Sequence, residues 1–355
     1  MHWCLEPPND KNIKLKKMLD LNFQSILVTG GTGSFGKAFI AQTLERFPKV
    51  KRMVVFSRDE QKQFEMMHEF PRSQYPALEF MLGDIRDHQR IAEAARDIDI
   101  LIHSAAMKHV PAAEYNPMEC VKTNIIGSQN VIDAALQHNV KIVVALSTDK
   151  AAAPVNFYGA SKLCLEKLFL HADSHKGSRS TRFSVVRYGN VFGSKGSVVP
   201  FFLRKRKEGY LPITHEGMTR FSISMQTGID LVNFAIAEGW GGEIVLPVAP
   251  SYRIMDVAEA IAPSLEKRVE GMRPGEKLHE CMFTELDAPF VAKRGGFYII
   301  CPTAGCWTRQ NYCEKTGAIP IPDGFCYSSD SNTDWLNVSD IRSQIVRDVD
   351  PGFQV

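Results

Sequence analysis

The sequence lacks the features of a membrane protein and of a nucleic-acid-binding protein. It contains no run of 18 apolar residues, about the length that a membrane-spanning helix needs. Residues 1–8 have no apolar signal core, so export is not expected. The formal net charge is only +2, which gives no electrostatic reason to bind nucleic acid or an anionic membrane. A cytoplasmic protein without membrane or nucleic-acid partners is expected.

A disulfide framework and a metal site are also not expected. Eight cysteines are scattered through 355 residues, a pattern typical of reduced thiols. Structural zinc sites usually present two ligand pairs, each separated by about two to four residues. Only the first pair among the last four cysteines has such a spacing, so no metal is predicted. These four residues are Cys301, Cys306, Cys313 and Cys326.

A glycine-rich loop lies between a predicted strand, Ser25–Thr29, and a predicted helix, residues 37–44. Glycines at this place let the backbone turn tightly and approach a pyrophosphate, which then sits on the helix N-terminus. The alternative is a glycine-rich turn without a ligand. The loop residues predicted to bind a dinucleotide are Gly30, Thr32, Gly33, Ser34, Phe35 and Gly36.

The end of the second predicted strand, Arg52–Phe56, indicates which dinucleotide is bound. An acidic residue at this point binds the ribose 2′-hydroxyl of NAD, whereas a nearby arginine accommodates the 2′-phosphate of NADP. Ser57 and Arg58 come first here, and Asp59 follows one place later. NADP is therefore favoured over NAD, and an ordinary surface role for Arg58 is the alternative.

The central motif is a strand end followed by a helix. The predicted strand 140–145 runs into Leu146-Ser147-Thr148-Asp149-Lys150, and Tyr158 and Lys162 follow on a predicted helix. Open α/β sheets bind ligands at the carboxyl ends of their strands, and helical residues four apart share a face. The Lys162 ammonium is expected to lower the pKa of Tyr158 from about 10, which makes the phenol a general base for an alcohol being oxidised. A solvated helix face is the alternative.

These elements predict an α/β fold, a Rossmann-type doubly wound parallel sheet with a smaller C-terminal substrate-binding lobe. After the predicted strand 183–188 the long βα repeats stop, and the chain becomes richer in Pro and Gly. The predicted division is an N-terminal extension at 1–21, a dinucleotide-binding domain at 22–187 rejoined by about 222–250, and a lobe built from 188–221 and 251–345.

The motifs together resemble extended short-chain dehydrogenases/reductases that act on nucleotide sugars. The glycine spacing is the G-x-x-G-x-x-G form of that superfamily. Related dTDP-glucose dehydratases carry Thr-Asp-Glu where this chain carries Thr148-Asp149-Lys150. From residue 22 to about 345 the chain is similar to the inverting UDP-N-acetylglucosamine 4,6-dehydratases. The segments that carry this resemblance are FSRDE (56–60), AAMKHVP (105–111), STDKAAAPVNFYGASK (147–162), RYGNVFGSKGSVVPFF (187–202), MTRF (218–221) and RPGEKLHE (273–280).

The resemblance implies C4 oxidation of UDP-N-acetylglucosamine, loss of water across C5 and C6, return of hydride to C6 and inversion at C5. Tyr158 would take the 4-hydroxyl proton, with Thr148 near O4 and Lys162 beside the tyrosinate. Lys150 would remove the C5 proton, and Asp149 would protonate the departing 6-hydroxyl. We therefore expect a cationic neighbour or partial burial to depress the pKa of Lys150, and an apolar environment to raise the pKa of Asp149.

The resemblance also implies the binding residues. Asn124, on the predicted helix 116–138, would help to hold the site together, and an exposed helix-face asparagine is the alternative. Each nucleotide-sugar residue could instead be a surface charge or a helix cap. Beyond the glycine loop, the cofactor residues are Ser57, Arg58, Asp84, Ile85, Ala105, Ala106, Lys108, Tyr158 and Lys162, and the substrate residues are Lys108, Asn190, Val198, Arg220, Arg273 and Glu276.

Two other functions are compatible with a dinucleotide-binding loop. A nucleotide-sugar 4-epimerase would use Tyr158 and Lys162 but needs no acid/base pair for C5 and C6, so Asp149 and Lys150 argue against it. A non-catalytic NADP-binding sensor can dispense with the tyrosine and lysine, and both are present. The dehydratase resemblance further implies a product that feeds pseudaminic acid synthesis, and a homo-oligomer, either a dimer or a hexamer.

Overall fold

The computed structural model describes residues 19–194 and 196–355 of the chain. The predicted N-terminal extension therefore lies outside the described residues except for its last three. Two of these, Leu19 and Leu21, are buried in the main hydrophobic core. Within the described ranges, no helix combines the length and the apolar character needed to cross a membrane.

A large sheet forms the centre of the described part of the molecule. Its strands lie in the order β15-β13-β14-β9-β6-β5-β4-β1-β2-β3, and those from β9 to β3 run parallel. The strands of this sheet are β1 (Ser25–Thr29), β2 (Arg52–Ser57), β3 (Leu78–Leu82), β4 (Ile100–His103), β5 (Ile142–Thr148), β6 (Arg182–Tyr188), β9 (Ile244–Pro247), β13 (Val291–Arg294), β14 (Phe297–Ile300) and β15 (Ile319–Pro320).

Helices connect the parallel strands, as a doubly wound fold requires. The α-helices are α1 (Ser34–Arg46), α2 (Glu60–Glu69), α3 (His88–Ala94), α4 (Val110–Tyr115), α5 (Pro117–Cys120), α6 (Gly127–Gln137), α7 (Phe157–His175), α8 (Val198–Lys205), α9 (Met225–Glu238), α10 (Ile254–Ile261), α11 (Arg309–Thr316) and α12 (Val338–Asp348). A π-helical turn, Val121–Ile126, joins α5 to α6, and short 3-10 turns lie at Asp149–Ala151, Arg206–Glu208 and Ala288–Phe290.

The strand order places the functional strand ends side by side. β1 lies between β2 and β4, so the chain changes direction across the sheet at β1. In register, Thr29 lies opposite His103 and Phe56, and Thr148 lies opposite Tyr188. Ligands of open parallel sheets bind at such a switch point. The doubly wound fold class predicted from the sequence is confirmed.

A second, smaller hydrophobic core lies outside the sheet and is built around α8, α10 and α12. Three two-stranded sheets accompany it. They pair β7 (Tyr210–Ile213) with β11 (Glu266–Val269), β8 (Thr219–Phe221) with β10 (Ser251–Arg253), and β12 (Cys281–Phe283) with β16 (Tyr327–Ser328). The first two pairings join segments from both halves of the predicted substrate lobe, whose boundaries stay a prediction.

The structure differs from the sequence-based expectations in three places. β5 continues to Thr148 rather than ending near residue 145, because β6 pairs with it along its whole length. The single helix predicted at 116–138 is interrupted by the π-helical turn. Residues 291–300 and 319–320, assigned to the lobe, instead extend the main sheet, where the β13–β14 hairpin covers the otherwise open edge of β9.

Arg187, at the end of β6, forms a buried ion pair with helix α7 and a hydrogen bond with β12. The Arg187 guanidinium donates to both oxygens of Glu166, at 2.8 and 2.6 Å, and to the carbonyl of Met282 at 2.7 Å. Arg187 and Glu166 are 4% and 1% exposed. Removing one partner would leave a buried charge unpaired, which costs far more than losing a surface pair.

Substitution of Arg187 by Met should lower the free energy of unfolding by about 3–5 kcal/mol, because Glu166 loses its counter-charge in the interior. The matched control is Lys141→Met, which removes an exposed pair with Asp99 and should cost no more than about 1 kcal/mol. Urea unfolding followed by circular dichroism measures both. Equal losses in the two variants would contradict this account of the buried pair.

Candidate active site

The glycine loop after β1 has no room for a side chain at Gly30 or Gly36. Gly30 has a positive φ of 66°, and a Cβ there would lie 2.8 Å from the Ala105 nitrogen. A Cβ on Gly36 would lie 2.6 Å from the Gly31 Cα. No side chain caps the N-terminus of α1 at Gly33. The amides of Gly30, Gly31 and Gly33 are bonded within the fold, so the first turn of α1 supplies the uncapped amides of a cradle suited to a pyrophosphate.

Hydrogen bonds between strand ends hold this cradle in place. The Thr29 hydroxyl pairs with His103 Nδ1 at 2.8 Å, and His103 Nε2 pairs with the Ser128 hydroxyl at 3.1 Å. Burial lowers the pKa of His103 to about 3, so the imidazole is neutral. Sequence reasoning missed His103, because a histidine within an apolar strand carries no signal of this role.

The end of β2 presents a cation to solvent. The Thr32 and Ser57 hydroxyls pair at 2.8 Å, next to Arg58, whose side chain is 67% exposed. Arg58 lies 3.8 Å from Asp84, while Arg86 contacts the same carboxylate at 2.8 Å. Burial acts to raise the pKa of Asp84, but the hydrogen bonds from Arg86 outweigh it and the pKa is lowered. Asp84 is therefore an anion paired with Arg86, while Arg58 extends into solvent.

Asn124 ties the loop after β4 to helix α7. Its side-chain oxygen accepts from the Met107 amide at 2.8 Å, and its Nδ2 donates to the Met107 carbonyl and the Ser161 hydroxyl, each at 2.9 Å. Asn124 is fully buried within the π-helical turn, so it is not an exposed helix-face residue. It fixes the small-residue loop with Ala105 and Ala106, while Lys108 is exposed.

Lys150 is the centre of a buried polar cluster at the end of β5. Its Nζ lies 3.1 Å from Asp149 Oδ1, 3.0 Å from Asn190 Oδ1 and 3.1 Å from Glu280 Oε1. The Thr148 hydroxyl donates to Asp149 Oδ1 at 2.9 Å. The cluster thus joins residues that follow β5 and β6 to the residue that precedes β12.

The electrostatics of this cluster correct one prediction. Burial acts to lower the pKa of Lys150, but the charges of Asp149 and Glu280 outweigh it and raise the pKa above its ordinary value. Lys150 is therefore an ammonium, and the expected depression of its pKa is wrong for this state, although Arg220 is present as a cationic neighbour. Burial and the Glu280 charge raise the pKa of Asp149, in the direction expected.

The tyrosine–lysine pair also departs from expectation. Both residues lie on α7 as predicted, but Lys162 Nζ donates to the Leu146 carbonyl at 2.6 Å. Burial raises the pKa of Tyr158 to about 12, against the opposing effects of the Lys150 charge and a hydrogen bond with Thr148. Burial lowers the pKa of Lys162 to about 8. The cation that favours the tyrosinate here is Lys150, so the activating role assigned to Lys162 is wrong for this state.

The predicted substrate residues separate into two groups. The Asn190 side-chain oxygen accepts a hydrogen bond from Lys150 Nζ. Arg220 lies beside the same cluster, with its Nε 3.7 Å from Glu280. Its other guanidinium nitrogens donate to the carbonyls of Thr219, Lys277 and Leu278. Arg273, 63% exposed, and Glu276 instead face each other at 4.0 Å. Val198 is the half-buried first residue of α8.

Glu280 is the residue of this cluster that sequence reasoning did not assign. It stands in the segment RPGEKLHE, which carried the resemblance only as a whole. No spacing rule connects it to Lys150, because only the docking of β12 and β16 brings it there. Within the described ranges, no group of three or more potential ligands is arranged to hold a metal, and the seven described cysteines are free.

Known proteins resemble the chain in sequence and in structure. The family described as "Polysaccharide biosynthesis protein" matches residues 26–301. A UDP-N-acetylglucosamine 4,6-dehydratase (inverting) of Campylobacter jejuni is 47% identical over 90% of this chain and 96% of the relative. A UDP-glucose 4-epimerase of Rickettsia akari is 39% identical over 78% of this chain and 82% of the relative.

Among solved structures, that of Pen from Bacillus thuringiensis superposes with a TM-score of 0.84 and 34% identity, covering 93% of this chain and 98% of that one. The dTDP-glucose 4,6-dehydratase DesIV of Streptomyces venezuelae shares the fold, with a TM-score of 0.63 at 20% identity over 92% of this chain and 99% of that one.

The fold and site thus define a Rossmann-type protein of the extended short-chain dehydrogenase/reductase kind. The chain belongs to the polysaccharide biosynthesis protein family. Its resemblance to the inverting UDP-N-acetylglucosamine 4,6-dehydratases, expected from the motifs, is confirmed over nine-tenths of its length.

Substitution of Gly36 by Ala should weaken dinucleotide binding about tenfold or more, equivalent to about 1.4 kcal/mol. The added Cβ meets backbone atoms of Gly31, so the loop must move away from the helix. The matched control is Gly296→Ala, where a Cβ meets nothing within 4 Å. Fluorescence titration with NADPH measures both dissociation constants, and unchanged binding in the Gly36 variant would contradict the assigned cradle.

Proposed function

We propose that the protein is a hydro-lyase that converts UDP-N-acetylglucosamine into UDP-2-acetamido-2,6-dideoxy-β-L-arabino-hex-4-ulose, an inverting 4,6-dehydratase. The observation that carries the proposal is the contact between Asp149 and Lys150 at the end of β5, where Thr148 hydrogen-bonds with both Asp149 and Tyr158. This arrangement places an acid and a base next to an alcohol-oxidising tyrosine. The Campylobacter relative that carries the same activity in its name supports the choice of substrate.

The residues at the strand ends fit a nicotinamide dinucleotide. The glycine cradle would hold its pyrophosphate and Lys162 its ribose, and the bound nicotinamide supplies reversible hydride acceptance. We propose NADP as the cofactor, because Arg58 extends into solvent at the end of β2 while Asp84 is engaged by Arg86. NAD, which is bound in several structural neighbours, is the competing cofactor.

Transfer of a single proton prepares both groups that the dehydration step needs, the base and the acid. A base at C5 must be neutral, and an acid at the 6-hydroxyl must carry a proton. Transfer of a proton from the Lys150 ammonium to the Asp149 carboxylate creates both groups at once, and their atoms are already 3.1 Å apart. Tyr158 is a neutral phenol in this state, so it must first lose its own proton. As a tyrosinate, which the positive charge of Lys150 favours, it then takes the 4-hydroxyl proton before the dehydration. Oxidation thus uses Lys150 as a cation, and dehydration uses it as a base.

A 4-epimerase is the second candidate, because relatives with that name are 38–39% identical to the chain. Epimerisation needs the tyrosine and the dinucleotide but no group acting at C5 and C6. The buried Asp149–Lys150 contact would then have no chemical use. A non-catalytic sensor would likewise leave the tyrosine and the acid/base pair without a role.

Purified protein with UDP-N-acetylglucosamine in deuterated buffer should yield a C6 methyl signal, deuterium at C5 and the proton couplings of an inverted ring. Lys150→Met should keep the bound dinucleotide and lose the methyl product by at least about 100-fold, because general-base catalysis contributes about 10²–10⁴. Proton NMR measures the product, and absorbance at 340 nm measures the cofactor.

The outcomes of this experiment separate the candidate functions. A C4 epimer without a methyl signal would establish the epimerase instead. A methyl product with unaltered C5 configuration would keep the dehydration and remove the inversion. Normal dehydration by Lys150→Met would remove Lys150 as the base. Glu285→Gln, at an exposed position, is a control that should behave as the unaltered protein.

Substitution of Arg58 by Ala should raise the dissociation constant of NADP by about 10- to 100-fold, because a hydrogen bond to a charged group contributes about 1.5–3 kcal/mol. The dissociation constant of NAD should not change. Arg72→Ala, at another exposed arginine, is the control. Isothermal titration calorimetry measures the dissociation constants of both dinucleotides. An equal increase in the two constants would refute the cofactor assignment.

The finer context of the reaction remains a prediction from the sequence and from the resemblance. It comprises a product that feeds pseudaminic acid synthesis, a cytoplasmic location, and a homo-oligomer, either a dimer or a hexamer. The domain boundaries predicted above belong with these predictions. Uridine and diphosphate binding by Arg273 and Glu276 is part of the same proposal, and the exposure of Arg273 is compatible with it.

A further inference from the structure

Glu280 is a buried carboxylate, and only one of its two oxygens takes part in the interactions of the fold. The residue is 1% exposed, and its Oε1 contacts Lys150 Nζ at 3.1 Å. Among the described residues, Oε2 has no hydrogen-bond partner. The backbone is fixed, because the Glu280 amide donates to the Ser329 hydroxyl and its carbonyl accepts from the Ser329 amide. A buried polar atom without a partner is costly, so a purely structural carboxylate is a poor explanation.

The geometry at Lys150 limits where its proton can go. An ammonium has three N–H donors, and three acceptors surround Nζ, namely Asp149, Asn190 and Glu280. The amide oxygen of Asn190 does not take a proton in ordinary acid/base chemistry. Deprotonation of Lys150 within the cluster therefore delivers the proton to one of the two carboxylates.

The surroundings of the two carboxylates decide between them. Glu280 faces Lys150 and also the Arg220 guanidinium at 3.7 Å. These cations, together with the charge of Lys277, outweigh the effect of burial and lower the pKa of Glu280. Asp149 has the opposite balance, because its burial and the neighbouring Glu280 charge raise its pKa. The proton thus goes to Asp149.

We propose that Glu280 is a positioning residue that stays ionised during the reaction, holds Lys150 in the site and directs the shared proton from Lys150 to Asp149. In this step an N–H bond of Lys150 breaks and an O–H bond of Asp149 forms, with no change in the total charge. The inference rests on the proposed function, because it requires Asp149 and Lys150 to act as acid and base.

The other titratable groups that face the cluster are accounted for. Arg220 comes from β8 and Lys277 from the segment before β12, and both are cations. Tyr158 comes from α7 and Tyr252 from β10. Burial raises the pKa of each tyrosine to about 12, so both are neutral near pH 7. Substitution of Glu280 by a neutral residue therefore removes a negative charge that acts on both Asp149 and Lys150.

Substitution of Glu280 by Gln keeps the size of the side chain and removes the charge. We expect kcat to fall about tenfold or more, with KM and NADP affinity unchanged. The loss of a charge within about 4–6 Å shifts a pKa by about 1–3 units, and the Glu280 charge raises the pKa of both Asp149 and Lys150. Both limbs of the kcat–pH profile should therefore move to lower pH by about one unit.

Stopped-flow absorbance at 340 nm reports the oxidation step separately, and proton NMR reports methyl product and C5 exchange. In the Gln variant we expect oxidation to persist while C5 deuterium exchange slows with kcat. Glu280→Asp keeps the charge and should retain the unshifted pH profile at a reduced rate. It also provides the test if the Gln variant does not fold. Glu285→Gln is again the matched control.

An unshifted pH profile in Glu280→Gln, or the same shift in Glu280→Asp, would overturn the inference while leaving the dehydratase proposal intact. Loss of NADP binding together with activity would also overturn it, since that result indicates a structural role alone. Failure of the unaltered protein to form methyl product would instead refute the proposed function, and this inference with it.

Discussion

The contact of the Lys150 ammonium with two carboxylates is the interaction on which the site depends. It gathers three separate parts of the chain, because Asp149 follows β5, Asn190 follows β6 and Glu280 precedes β12. Neither buried carboxylate would be stable in the interior as an isolated charge. The dinucleotide-binding sheet and the C-terminal segments therefore complete one another electrostatically, and the hydrogen bond from Arg187 to the Met282 carbonyl reinforces the same junction.

The same contact explains why one lysine can serve two chemical steps. As an ammonium it opposes the effect of burial on Tyr158, which favours proton removal from an alcohol. Once its proton passes to Asp149, it becomes a base and leaves an acid beside it. The hydrogen-bonded cluster makes this exchange possible, because its members hold each other at hydrogen-bonding distance and both carboxylates are buried.

The sequence was sufficient for the features that depend on local pattern. The strand–glycine loop–helix unit and the placement of Tyr158 and Lys162 on one helix follow from periodicity and spacing. The direction in which a long side chain points does not. Lys162 reaches back to the Leu146 carbonyl, and the pKa of Lys150 depends on Glu280, which tertiary pairing of β12 and β16 supplies. Long-range contacts of this kind leave no spacing signature.

The π-helical turn that contains Asn124 restricts how many residues this part of the chain can have. Such a turn accommodates one residue more than an α-helix, and each residue rotates a helix by about 100°. Asn124 within this turn reaches Met107 and Ser161, while Ser128 just after it reaches His103. Deleting one residue from 121–126 would turn one of these two side chains away from its partner. An insertion or deletion in residues 121–126 would therefore keep both contacts only if it added or removed whole helical turns, whatever the residue types.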